Sequence, residues 1–69
     1  MKVSICVWAG EGHELLEEAG FMDRQEIPEE SMYDVVRTLF EHRLNVMMWR
    51  SKEHERIILF VDTMRFSQR

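Results

Sequence analysis

Residues 46–66 read VMMWRSKEHERIILFVDTMRF, two apolar runs separated by the polar stretch 52–56. Side chains alternate between the two sides of a strand, so the second run sends Ile57, Leu59 and Val61 one way and Ile58, Phe60, Met64 and Phe66 the other. The first run repeats this, with Val46 and Met48 against Met47 and Trp49. Two such strands joined by so short a turn predict an antiparallel hairpin. Because both of its sides are apolar, that hairpin belongs to a sheet needing cover on both faces.

Upstream, Val3, Ile5 and Val7 alternate with Ser4, Cys6 and Trp8 before Ala9-Gly10-Glu11-Gly12, which reads as a third strand and its end. His13 to Ala19 places Leu15, Leu16 and Ala19 at helical spacing, with Gly20 at a left-handed cap, and predicts one or two turns. Residues 21–30 carry no sustained period, and Pro28 disfavours helix at Ile27, so they read as a connection. Met32, Val35, Val36, Leu39, Phe40 and Leu44 form the stripe of an amphipathic helix whose other side holds Asp34, Arg37, Thr38, Glu41 and Arg43. Ser31 with Asp34 suits its start as a weak capping box, and Asn45 its end. The expected architecture is a two-layer α/β (α+β) single domain over residues 1–69. Its order is β-α-α-β-β, with a three-stranded mainly antiparallel sheet, one principal helix and one short helix.

The chain has 69 residues, 45% hydrophobic and 32% charged, with one Pro and three Gly, proportions of a folded domain and not of a low-complexity chain. The apolar runs 3–9 and 57–61 fall far short of the roughly 20 residues that cross a bilayer, so no membrane partner is expected. The Lys2-led run is short and lacks an A-x-A-like cleavage site, which favours a core strand over a signal peptide. A lone cysteine, Cys6, excludes an intramolecular disulfide and suits a reducing, cytoplasmic setting. Charge is polarised: residues 1–41 carry three basic and ten acidic side chains, net −7, and residues 42–69 carry six basic and three acidic, net +3.

One amphipathic helix has one apolar stripe and shelters one face of a three-stranded sheet. Leaving large side chains in water on the other face forgoes roughly 1.5 to 3 kcal/mol each, against the ~3 to 5 kcal/mol that a core this small supplies. The uncovered face, with Met47, Trp49, Ile58, Phe60, Met64 and Phe66, is therefore expected to be a contact surface, in the simplest case of a homodimer. Of the six methionines, Met32 and Met48 are assigned to the core, and Met47 and Met64 to the interface. A second candidate docking surface for a protein partner is acidic: Glu11, Glu14, Glu17, Glu18, Glu29 and Glu30.

Single-stranded nucleic acid is the alternative partner. Arg50, Lys52, Arg56 and Arg65 flank a hairpin bearing Trp49, Phe60 and Phe66, the combination of cations and stacking rings that such a platform uses. Against it stand an overall charge of −4 and the lack of any RRM-type aromatic motif. Catalytic and cofactor chemistry is not legible. His13-Glu14-Leu15-Leu16-Glu17 is similar to a metalloprotease H-E-x-x-H helix but has Glu in place of the second histidine. Gly10-Glu11-Gly12 lacks the third glycine of a dinucleotide turn and is surrounded by carboxylates that would repel a phosphate. Cys6 sits in an apolar strand and is expected to be an inert core thiol, and His42 and His54 lie at a helix end and in a turn, with no acid, base and nucleophile set around them. The expectation is a non-enzymatic interaction protein without cofactor or metal.

Overall fold

A computed structural model describes residues 1–7 and 11–63. In chain order these form β1 (Lys2–Val7), α1 (Glu11–Glu18), β2 (Glu26–Ile27), a 3-10 turn (Glu29–Ser31), α2 (Met32–Glu41), β3 (Leu44–Ser51) and β4 (Arg56–Thr63). The sheet has four strands in the order β2-β1-β4-β3 and is mixed: β1 runs parallel to β4, and the two outer pairs are antiparallel.

This corrects the expected three-stranded, mainly antiparallel sheet in two respects. The stretch read as a connection contributes β2, two residues long, paired as Val3↔Ile27 and Ser4↔Glu26. Too short to show alternation, it is held instead by main-chain bonds around it: Ile5 N–H donates to the Gln25 carbonyl (2.9 Å) and Arg24 N–H to the Ile5 carbonyl (2.6 Å), with Arg24 at φ 65°. The second correction is the parallel β1–β4 pair, which lies at the sheet centre, where both strands bury their odd-numbered residues Val3, Ile5, Ile57, Leu59 and Val61 on the same side. The expected hairpin is present: β3 and β4 pair from Leu44↔Thr63 to Ser51↔Arg56, around a turn with Glu55 at φ 49°.

Register decides which residues share a face. Val3, Ile5, Ile57, Leu59, Val61 and Leu44 lie on one side of the sheet and join Leu16 of α1 and Val35 and Leu39 of α2 in a single core. Both helices therefore cover the same face. The ends of α2 differ from expectation. Ser31 makes no side-chain cap bond, since its backbone already belongs to the 3-10 turn that Pro28 opens with ψ 143°. At the other end the helix stops at Glu41, the left-handed residue is Arg43 (φ 63°), not Asn45, and Leu44 begins β3. The His42 ring and the Thr38 carbonyl are 2.9 Å apart there, which ties the last turn. Phe40, expected in the core stripe, is half exposed, because Val35 and Leu39 fill the space above the sheet. Gly20 closes α1 at φ 96°, the left-handed geometry expected of it.

Candidate interaction surface

The opposite side of the sheet carries Ser4 and Cys6 from β1, Arg56, Ile58, Phe60 and Asp62 from β4, and Asn45, Met47, Trp49 and Ser51 from β3. None of these belongs to the core shared with the helices. Met47 is 69% exposed and Trp49 50%, while Ile58 and Phe60 are half-buried between neighbouring strands. The structure thus brings Met47, Trp49, Ile58 and Phe60 together on one face, in the direct pairs Met47↔Phe60 and Trp49↔Ile58. Met64 and Phe66 lie outside the described residues.

Two core assignments are overturned. Met48 is 55% exposed: it points to the helix side, but at the outer strand, where α1 and α2 leave it open. Cys6 is not enclosed in the core; it lies half-buried on the open face, opposite Phe60. Met32 does pack against the core.

The acidic residues are dispersed over two elements. Glu14, Glu17 and Glu18 are exposed on α1, Glu29 and Glu30 on the 3-10 turn, and the side chain of Glu11 lies outside the described ones. Glu29 is engaged by the amino terminus at 2.8 Å, and this ammonium, through its hydrogen bond and then its charge, holds the carboxyl below the usual carboxylate range. The basic residues divide likewise. Arg50 shares the helix-side face with Met48, so it lies across the sheet from Trp49; Lys52 is exposed in the turn; Arg56 is half-buried on the open face beside Lys2; Arg65 lies outside the described residues.

His13 Nε2 lies 3.7 Å from Asp23 Oδ2, and Asp23 Oδ1 accepts the Val7 N–H at 2.9 Å, so the contact ties the start of α1 to the segment before β2. No group of three or more metal-ligating side chains occurs among the described residues, and no helix there is long and apolar enough to cross a membrane. A feature not foreseen lies on the outer side of α2: Tyr33 is 87% exposed and, with Phe40, flanks a shallow concavity floored by Val36 and edged by Asp34, Arg37 and Glu41. The signal was the seven-residue spacing of the two rings, which places them on one helix face beside the core stripe. The chain was compared with protein-family models, curated proteins and solved structures, and none matched.

Proposed function

We propose that this chain is a small protein-interaction module that works as a homodimer, with the open sheet face as its contact surface and the acidic helical layer turned outward to a protein partner. The observation that carries the reading is the half-exposed Trp49 beside Met47 on a face that neither helix covers. Exposed indole and thioether groups on a rigid sheet offer large, desolvatable area at little cost in side-chain ordering, the property that makes such residues anchors of interfaces. The separation of charge supports the same division of labour, since β3 and β4 hold a single acid, Asp62, while α1, α2 and the 3-10 turn hold eight of the thirteen.

Sedimentation equilibrium of the chain from low to high micromolar concentration tests it. The expected result is a mass approaching twice 8.4 kDa that Trp49→Asp returns to 8.4 kDa; a mass of 8.4 kDa throughout contradicts it.

One arrangement favours single-stranded nucleic acid as a second reading. Arg56 is one diagonal step from Trp49 on the open face, and Lys2 stands opposite Arg56 one strand further in, so a row of two cations leads away from a ring available for stacking. That reading predicts salt-dependent retention on single-stranded oligonucleotides, lost when Lys2 and Arg56 are both changed to Glu. Retention that ignores both changes counts against it.

A further inference from the structure

Exposure on the sheet is concentrated on one strand. Met47, Met48, Trp49 and Arg50 are all exposed, whereas Ile58 and Phe60, one strand inward, are half-buried and Ser4, further in, is buried. The open face is therefore barest along its β3 border. The bare residues look to both sides, Met47 and Trp49 to the open face and Met48 and Arg50 to the helix side. What they share is the outer edge of β3.

The polarity of that edge follows from the register. Lys2 N–H donates to the Glu55 carbonyl, which sets the parallel ladder so that the odd-numbered residues of β4 aim their main-chain groups at β1 and the even-numbered ones at β3. Ile5 bonding to Gln25 and Arg24 on the far side of β1 obeys the same phase. In an antiparallel pair, opposed residues exchange both bonds or neither. Asn45, Met47, Trp49 and Ser51 stand opposite even-numbered β4 residues and are therefore bonded inward, which leaves the N–H and C=O groups of Val46, Met48 and Arg50 aimed outward. Exposed edges are commonly blocked by charge, proline or a bulge. This one has no proline and pairs without a bulge, and its one charged residue, Arg50, lies near its end, after the uncharged run from Leu44 to Trp49.

Resting on the self-association proposed above, we infer that two copies join along their β3 edges, antiparallel, about a dyad through Met48, to make one continuous eight-stranded sheet. Across the dyad, outward-bonding residues must oppose outward-bonding ones, and inward-bonding residues oppose each other as non-bonded pairs. With Met48 opposite its own counterpart, Val46 pairs with Arg50 of the second copy, and Met47 meets Trp49 on the open face, a thioether against an indole. A dyad on Trp49 would bring the two Arg50 side chains into diagonal contact on one face. A dyad on Met47 would set Trp49 opposite the polar Asn45 of the second copy. The register through Met48 avoids both and sets the exposed Met47, Met48 and Trp49 against one another. The second edge of the sheet does not compete, since β2 is two residues long and runs into Pro28.

Two substitutions test the assignment. The Met48 N–H takes no part in the hairpin, so Met48→Pro leaves the β3–β4 ladder bonded while removing the central edge donor and obstructing a neighbouring strand. Dimer dissociation is expected to become at least a hundredfold easier, with far-ultraviolet circular dichroism kept. Independently, in a Cys6→Ser background, a short bis-methanethiosulfonate reagent should link Met48→Cys into a covalent dimer and should not link Val46→Cys, because the two Met48 α-carbons stand about 5.5 Å apart across the dyad, whereas the two Val46 positions are out of step by four residues along the strands. If Met48→Pro dimerises like the parent, or if Met48→Cys fails to cross-link in a protein that does dimerise, the edge assignment is wrong and self-association stands. If Met48→Pro unfolds, the cross-link alone decides. A parent chain that stays monomeric removes the self-association reading, and the edge pairing with it.

Discussion

Replacing Trp49 with Thr keeps a strand-favouring residue and removes the largest exposed apolar group on the open face. Half of the side chain is in water, roughly 125 Å² of the ~250 Å² a tryptophan offers, which at ~25 cal/mol per Å² corresponds to about 3 kcal/mol if wholly covered. An edge-paired second copy covers part of it; taking half gives about 1.5 kcal/mol per copy and about 3 kcal/mol per dimer, a dissociation constant raised more than a hundredfold. The assay is sedimentation equilibrium over a concentration series, paired with thermal melts so that lost folding is separated from lost association. Phe40→Thr is the control. Phe40 is equally exposed but sits on the outer side of α2, and its replacement should leave the dissociation constant unchanged within about threefold. Equal weakening by both substitutions, or none by Trp49→Thr, would refute the reasoning.

Further substitutions probe the framework that presents this face. Leu59 is fully buried on β4, and Leu59→Ala should cost about 2.7 to 5 kcal/mol, comparable with the whole stability of a core this size, so the variant should be largely unfolded by circular dichroism at 25 °C. Gly20→Ala meets no atom within 4 Å of the added methyl, so its cost is the left-handed backbone alone, about 1 to 2 kcal/mol in a urea titration; a neutral result would show that α1 does not need that turn. Glu29 has its carboxyl pKa depressed by the amino terminus, so the stability it contributes is present above the ordinary carboxylate pKa and is lost as pH falls through the lower folded value. Carbon-detected NMR titration should find that low midpoint, and acetylation of the amino terminus should return it to the ordinary range.

The parts of the fold legible in the sequence were those with period. The hairpin, α1 with its Gly20 cap, and α2 were announced by alternation or by i, i+3, i+4 spacing over enough residues to be distinctive. β2 was not, since two residues have no alternation to read, and the chain joins the sheet there through main-chain bonds at Arg24 and Gln25 that no side-chain pattern encodes. The parallel β1–β4 pairing is a long-range choice between strands of identical apolar character, and local pattern is silent about it. The open face was legible because it required only counting apolar sides against available helices. Which residues of the sheet are barest was not: Met48 and Met47 look alike in sequence, and their shared exposure on opposite sides comes from β3 being the outer strand, a property of strand order. Phe40 shows the same limit, since periodicity places it beside the core stripe without saying where the sheet ends beneath it.

The most direct measurement of the central claim is an isotope-filtered NOE experiment on a one-to-one mixture of labelled and unlabelled chains. Contacts that cross between copies are expected from the Trp49 indole ring to the Met47 methyl group, with the Val46 and Met48 amides protected from exchange. A spectrum in which every NOE of Trp49 arises within a single copy, at concentrations where the chain is folded, would contradict the account.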